Sequence, residues 1–383
     1  MKSPRPCHSA ACLILTGLSF AALNLWPPAV ALAQSQPVDA SSSSPSVTPP
    51  QEPAPDQADK ADSEKKSHKD NHKPISPRRI HNPVLWQNPG DISAKDLFYG
   101  QGGEDGQPKP PFTFLDVDKH DSNPKFDVRD ANGHSWRVKL GAEARPEIVA
   151  SRLLWAVGYF TEDDYVLPRA TVPGLHLRHT AHSVENGDQV IDARFARKPG
   201  GEKRIASWRW KENPFFGTRE FNGLRVMMAV LNSWDLKTEN NAVYSDKEHH
   251  RQLFLVSDTG ASFGTNSVRM KNVNGKGNVE KYAESKFITH ETETEVSFGT
   301  PAPPTDLLLE SGGILAPLYF ERLGYDWIGD DIPRADARWI GSLLGRLTHR
   351  QLVDAFRAGR FTEKETAEYV SVLEDRIAQL KAL

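Results

Sequence analysis

The fold is decided by residues 125–140, KFDVRDANGHSWRVKL, in which two β-prone runs flank the turn Asp130-Ala131-Asn132-Gly133. Apolar, aromatic and β-branched residues on both sides of a tight turn predict an antiparallel hairpin. The run 112–117, FTFLDV, has the same character and adds a strand before the hairpin. We therefore predict a three-stranded antiparallel β meander.

A helix is predicted directly after the meander. Pro146 suits the first turn of a helix, and Gly158 suits the position just after its end. Ile148, Leu153 and other apolar residues between them form one broad face. The order strand, strand, strand, helix therefore opens the folded part of the chain.

The second half of the chain predicts a buried helix, a short hairpin and then a mainly helical region. In chain order these are an apolar helix at 219–231, a polar loop at 232–241, strands at 242–244 and 253–256, the triplet Asp258-Thr259-Gly260, and helices from about Pro304 onward. Apolar spacing near 3.6 residues supports the helices. The predicted fold class is α+β, with a β meander plus helix in an N-lobe and a mainly helical C-lobe.

The N-terminus predicts export from the cytoplasm. Lys2 and Arg5 precede an apolar run at 10–25, and Ala31-Leu32-Ala33 fits a signal-peptidase site. We expect a signal peptide at 1–33 and a periplasmic or secreted location, with an uncleaved signal anchor as the alternative. No later stretch has the roughly 20 apolar residues that a membrane helix needs, so no membrane span is expected.

Composition separates a linker from the folded domain. Residues 34–80 are rich in Pro, Ser, Asp, Lys and Gln and hold too little apolar surface to offset the entropy of an ordered chain. We expect a disordered linker there and one domain at 81–383, with the N-lobe at about 81–215 and the C-lobe at about 216–383.

Cysteine content and net charge exclude several classes of function. The only two cysteines, Cys7 and Cys12, lie in the predicted signal peptide, so the mature chain would have no disulfide, thiolate nucleophile or cysteine-based zinc site. The formal net charge of −3 shows no basic excess. We therefore expect no nucleic-acid partner.

The segment DLKTEN, residues 235–240, resembles the catalytic loop of protein kinases, in which Lys and Asn follow an Asp by two and five residues. Asp258-Thr259-Gly260 is similar to the metal-binding Asp-Phe-Gly, Lys139 to the phosphate-binding strand lysine, and Glu147 to its ion-pair partner. The likeness covers about residues 110–265 and is greatest to atypical kinase-like families: HipA-type, phosphoinositide-kinase-like and secreted Golgi-casein-kinase-like enzymes. It implies a two-lobed kinase-like fold that uses ATP with Mg²⁺ or Mn²⁺.

Phosphoryl transfer requires the same chemistry whatever the family. The nucleotide phosphates need positive charge, the metal needs oxygen ligands, and the acceptor needs a carboxylate to orient or deprotonate it. Lys139 could supply the charge, Asn240 with Asp258 the metal ligands, and Asp235 the base. Lys237 would steady the transferred group.

The sequence departs from the kinase pattern in two places and leaves several assignments open. No glycine-rich loop lies between the first two strands, and Trp234 stands where a basic residue usually precedes the Asp. Glu143 competes with Glu147 for Lys139, and Asn241 competes with Asn240 for the metal. The histidines in segments 176–182 and 249–250 are weaker candidates for metal ligands, because turn signals beside the first segment indicate strands and turns there.

The predicted function is an exported kinase-like phosphotransferase with an unknown protein, lipid or small-molecule hydroxyl acceptor. ATP is scarce outside the cytoplasm. Two alternatives therefore stay open: a catalytically inactive kinase-like binding or scaffold module, and a nucleotidyl transferase on the same fold.

Overall fold

The computed structural model describes residues 73–118, 125–175, 177, 183–198, 203–265, 275–301, 313 and 316–383. The predicted signal peptide and most of the predicted linker lie outside these residues. No helix in the described part of the chain is both long enough and apolar enough to cross a membrane.

The strands, in chain order, are β1 Pro83–Val84, β2 Thr113–Asp118, β3 Lys125–Arg129, β4 Ser135–Lys139, β5 Asp163–Thr171, β6 Val184–Glu185, β7 Gln189–Arg197, β8 Lys203–Ala206, β9 Asn241–Asp246, β10 Arg251–Val256, β11 Ile288–Glu291, β12 Glu295–Phe298 and β13 Ile332–Pro333. The helices are α1 Ala144–Ala156, α2 Arg219–Val230, α3 Val279–Glu284, α4 Ala316–Leu323, α5 Arg334–Leu344, α6 His349–Ala358 and α7 Glu363–Ala382. The α+β class is confirmed, with strands dominant before α2 and helices dominant after β13.

The first sheet contains the predicted meander. Its strands run antiparallel in the order β2-β3-β4-β7-β5, with β6 paired to β7. Helix α1 follows β4 and packs against β5 and β7. The helix ends where Gly158 adopts a φ of +102°, and a Cβ there would lie 2.2 Å from the carbonyl oxygen of Gln87. A glycine is therefore required at this stop.

The two faces of this sheet differ in chemistry. Phe126 and Val128 on β3, and Trp136 and Val138 on β4, are fully buried in an apolar core on one face. Successive side chains of a strand point to opposite faces, so the residues between them lie on the other face. That second face carries the charged residues Lys125, Asp127, Arg137 and Lys139.

A second sheet and the helices form the larger core. Its strand order is β1-β10-β9-β8, with β1 parallel to β10 and the other pairs antiparallel. β8 belongs to this sheet, and Trp208 and Trp210 are buried in its core with α2. Trp208 and Trp210, which precede the predicted lobe boundary at about 215, share this core with residues of both α1 and α2.

A short third sheet, β11-β12-β13, lies within the C-terminal part. The prediction of a mainly helical C-lobe did not include it, because its strands have only two to four residues and show too little periodicity. Helices α6 and α7 each begin with a capping box, at Thr348 and Thr362. These caps satisfy backbone N–H groups at the helix starts.

Residues 73–80 are paired with the folded domain although they fall in the predicted linker. The Ile75 N–H donates to the Ser207 carbonyl at 2.8 Å, and the Ser207 N–H donates to the Lys73 carbonyl at 2.9 Å. A single 3₁₀ turn follows at Pro77–Arg79. Some residues of the predicted linker are therefore hydrogen-bonded to the folded domain.

A buried ion-pair network joins α1 to the charged face of the first sheet. Asp164 on β5 is fully buried and accepts hydrogen bonds from Ser151 Oγ (2.8 Å), Arg152 Nη1 (2.7 Å) and Arg194 Nε (3.0 Å). Ser151 and Arg152 come from α1, and Arg194 comes from β7. Burial of these charges is tolerated because each one is paired and hydrogen-bonded.

We expect Asp164→Ala to lower the free energy of unfolding by roughly 3–5 kcal/mol, because two buried arginines would lose their carboxylate. Asp192→Ala is the matched control. Its 2.7 Å pair with Arg360 is about half exposed, so its loss should cost under about 1 kcal/mol. Urea unfolding of both variants measures the difference, and equal losses would contradict a structural role for the network.

Candidate phosphate and metal site

Lys139 lies at the centre of a buried cluster of carboxylates. Only 2% of its side chain is exposed. Its Nζ donates to Glu147 Oε2 at 3.0 Å and to Asp258 at 3.0 Å (Oδ1) and 3.2 Å (Oδ2), and it lies 2.8 Å from Glu143 Oε2. The end of β4, the first turn of α1 and the loop after β10 therefore meet at a single ammonium group.

Both glutamates that competed in the sequence for Lys139 contact it. Glu147 is also 3.4 Å from Arg194 Nη1, which connects this cluster to Asp164. Glu143 also pairs with Lys276, which lies beyond the Asp-Thr-Gly turn. The alternative between the two glutamates is thus not exclusive, since Lys139 is held by both.

Gly260 allows the Asp-Thr-Gly turn to approach helix α1 closely. A Cβ at Gly260 would lie 2.7 Å from Glu143 Cβ and 3.1 Å from its carbonyl oxygen. The Gly260 N–H donates to Asp258 Oδ1 at 3.3 Å. Any larger residue would push Asp258 away from Lys139, which explains the glycine two residues after the Asp.

The cluster favours the charged forms of Lys139 and Asp258 but disfavours the charge of Glu147. Burial lowers the pKa of Lys139, but Asp258, Glu147 and Glu143 outweigh it and hold that pKa well above its ordinary value. Burial raises the pKa of Asp258, yet Lys139 and Lys125 hold it well below its ordinary value. Burial raises the pKa of Glu147 to about 7, against the opposing charges of Arg194 and Lys139.

In the loop after α2, buried residues alternate with partly exposed ones, and the candidate catalytic residues are the exposed ones. Trp234 and Leu236 are buried, whereas Asp235 and Lys237 are partly exposed. Lys237 Nζ lies 3.3 Å from Asp235 Oδ1. The two buried residues therefore anchor the loop, and a carboxylate and an ammonium group lie side by side at its surface.

Asn240 connects this loop to Asp258. Its carbonyl accepts hydrogen bonds from the N–H groups of Ser257 (2.8 Å) and Asp258 (3.2 Å). Its side-chain Nδ2 donates to the Asp235 carbonyl at 2.6 Å. The predicted residues therefore form two groups, Lys139 with Glu147 and Asp258, and Asp235 with Lys237 and Asn240, which are joined through the Asn240 backbone.

Asn241, the alternative metal ligand, lies inside the protein. It is fully buried on β9, and its Nδ2 donates to the Trp208 carbonyl at 2.9 Å. The histidines of segment 176–182 lie outside the described residues. His249 is exposed and contacts Asp246 in the β9–β10 turn, at 2.9 Å.

The residues fit a metal that is shared with a ligand. Within the described segments, no three or more His, Cys, Asp or Glu side chains are arranged to hold a metal on their own. Mg²⁺ in phosphotransfer sites commonly takes one or two protein oxygens together with substrate phosphates and water. Asp258, 28% exposed and strongly favoured as the carboxylate, provides one such oxygen donor.

Three charged residues of the site were missed by the sequence analysis. Lys125, Arg194 and Lys276 contact Asp258, Glu147 and Glu143 respectively. The strand register places Lys139 opposite Lys125 on β3 and opposite Arg194 on β7. Register within the predicted meander could have identified Lys125, whereas no sequence signal brings Lys276 to Glu143.

Comparisons with known proteins do not identify a family for this chain. No family model and no curated protein matches the chain. Among solved structures, the chain is similar to the crystal structure of a Helicobacter pylori proinflammatory kinase, CtkA, at 10% sequence identity and a TM-score of 0.38, over 72% of this chain and 98% of that one. A likeness at this level is not a basis for assigning an activity.

Lys139→Met should destabilise the protein more at pH 8 than at pH 5. In the wild-type chain, the pKa of Asp258 lies below its unfolded value near 4, so its pairing with Lys139 contributes fully at both pH values. Glu147, whose pKa is about 7, is mostly ionised at pH 8 and mostly protonated at pH 5. Without Lys139, the carboxylate pKa values rise, and protonation relieves the repulsion as the pH falls. We expect a loss of roughly 3–5 kcal/mol at pH 8 and a smaller loss at pH 5.

Urea unfolding at the two pH values measures this difference. Lys281→Met is the control, because Lys281 pairs with Glu284 on the surface of α3. Its effect should be small at both pH values. A loss for Lys139→Met that does not change with pH would contradict the proposed charge balance.

Proposed function

We propose that this protein is an atypical kinase-like phosphotransferase that moves the γ-phosphoryl group of ATP to a hydroxyl acceptor with the help of Mg²⁺ or Mn²⁺. One observation carries the proposal: Lys139 bonds both a helix carboxylate and Asp258, and Asp258 is bonded through Asn240 to the loop that presents Asp235. A phosphate-binding cation, a metal ligand and a candidate base are thus contiguous.

Lys139 is proposed to bind the nucleotide phosphates. Its raised pKa keeps it protonated, and Glu147 on α1 holds its ammonium group in place. A fixed cation stabilises the charge that spreads over the phosphoryl oxygens during transfer. Arg194 pairs with Glu147 and is itself paired with Asp164. The position of Lys139 therefore depends on the packing of α1.

Asp258 and Asn240 are proposed to hold the metal. Asp258 stays ionised, and Asn240 is the last residue of the 3₁₀ turn Thr238–Asn240, directly bonded to the Asp258 backbone. Mg²⁺ held by these two residues would supply positive charge that neutralises the phosphates. Asn241 is the poorer candidate, because its side chain is buried against Trp208.

Asp235 is proposed to orient the acceptor hydroxyl and take its proton. The carboxylate is partly exposed on a loop anchored by two buried residues, which is the rigid and accessible placement that a general base requires. Lys237, 3.3 Å away, would contact the transferred group. The acceptor class stays open between protein, lipid and small-molecule hydroxyls.

Export is proposed as part of this function. Residues 1–33 carry the features of a signal peptide, so the domain would act in the periplasm or after secretion. An exported kinase needs nucleotide before or during export, or from another cell. Loss of catalysis with retention of the site is the scaffold alternative.

The full chain should be stabilised thermally by ATP with Mg²⁺ or Mn²⁺ in a concentration-dependent way. Asp258→Asn should abolish the metal-dependent part of the shift. Asp235→Asn should keep the shift but lower phosphate transfer by about 10²- to 10⁴-fold, because only the base is lost. Asp192→Asn, on the exposed pair with Arg360, is the control that should behave as wild type.

Transfer is followed by intact-mass analysis of the chain and by release of phosphate from ATP. A mass increase of one phosphoryl group supports phosphoryl transfer. A mass increase of one AMP would show that the protein transfers a nucleotidyl group instead. Binding of nucleotide without any transfer would leave the scaffold function. No binding of any nucleotide would overturn the proposal.

A further inference from the structure

A second lysine reaches Asp258 from the neighbouring strand. Lys125 Nζ lies 3.5 Å from Asp258 Oδ2, and 17% of its side chain is exposed. Lys125 is the first residue of β3 and lies directly opposite Lys139 on β4. Two lysines in facing positions of one strand pair therefore converge on one carboxylate.

Such a pair is not explained by the sheet alone. Like charges directly opposite each other on neighbouring strands are destabilising. The pairing with Asp258 offsets this cost, but Lys139 already has Glu143 and Glu147 as partners. Of the two lysines, Lys125 is the more exposed, at 17% against 2% for Lys139, so it is the one that an anionic ligand beside Asp258 can reach.

A metal at Asp258 would increase the positive charge beside Lys125. A divalent cation bound to Asp258 would place two more positive charges close to Lys125 and Lys139. Coulomb repulsion at 3–4 Å is large in a partly buried site. An anionic ligand with several oxygens, such as a polyphosphate, would offset the charge that the metal adds and could contact the metal and a lysine at the same time.

We infer that Lys125 is a second phosphate-binding residue of the nucleotide site, acting beside Lys139 at the start of the strand pair where the sequence lacks a glycine-rich loop. The inference rests on the proposed function and deepens it. The side chain of Lys125 supplies a charged hydrogen bond to a nucleotide phosphate in place of backbone N–H groups of a glycine loop.

Lys125→Met in the full chain should lower the affinity for ATP with Mg²⁺ by about 10- to 100-fold, the range expected for loss of one charged hydrogen bond. The affinity for adenosine, which has no phosphate, should change by less than about threefold. Lys125→Arg should retain most of the ATP affinity. Isothermal calorimetry measures all three.

Lys109→Met is the matched control. Lys109 is exposed and lies beside the β3–β4 turn at the opposite end of the strand pair, where its carbonyl accepts from the Ala131 N–H. Its ATP affinity should equal that of the wild type. Unfolding midpoints of each variant show whether the change is confined to binding.

Binding of Mn²⁺ without nucleotide adds a second readout. Removal of the Lys125 charge should tighten Mn²⁺ binding at Asp258, because less positive charge opposes the metal. Opposite changes, weaker for ATP and tighter for Mn²⁺, are the result expected of a phosphate-binding lysine. A purely structural lysine would weaken both when removed, and that outcome would overturn the inference.

The inference and the proposed function fail in different ways. If the wild-type chain binds ATP and Lys125→Met binds it equally well, the inference is overturned and the proposed function stands. If the wild-type chain binds no nucleotide, the proposed function is overturned and the inference with it.

Discussion

The structure depends on how one buried ammonium group is neutralised. Lys139 is almost fully enclosed, and an unpaired cation there would cost several kcal/mol. Its partners come from three separate places in the chain: Glu143 at the start of α1, Glu147 in its first turn, and Asp258 after β10. The fold must bring strand, helix and loop together for this charge to be tolerated.

Other buried charges on the first sheet are also paired. Arg194 joins Glu147 to Asp164, and Asp164 joins Arg194 to Arg152 of α1. Helix α1 therefore contacts the first sheet through ion pairs on its charged face, which is opposite the apolar face. Ionic contacts are directional, so they fix the position of α1 more closely than apolar packing alone, and that position sets the geometry around Lys139.

Much of this could be predicted from the sequence, for identifiable reasons. The meander and α1 follow from turn residues, β-branched runs and the Pro146 and Gly158 signals, and all were found within a few residues of their predicted positions. The pairing of Lys139 with Glu147 was predicted from a resemblance in short motifs, whereas the direct contact of Lys139 with Asp258 was not predicted. The register of the predicted hairpin also places Lys125 opposite Lys139.

Other features depend on contacts that are distant in sequence. β8 pairs with β9 and not with the first sheet, and no local pattern distinguishes such a strand from the end of the first sheet. Glu143 bonds Lys139 as well as Lys276, because the Asp-Thr-Gly turn passes close to the start of α1. Sequence spacing alone could not decide between one glutamate and two.

The central claim, that the Lys139 cluster is a nucleotide-phosphate and metal site, is tested most directly by a crystal structure of the full chain with Mn²⁺ and a non-hydrolysable ATP analogue. The anomalous signal of Mn²⁺ locates the metal without assumptions. We predict a peak within about 2.0–2.4 Å of an Asp258 oxygen, with nucleotide phosphates in contact with Lys139. Metal and nucleotide bound elsewhere, with Lys139 still held by all three carboxylates, would contradict the claim.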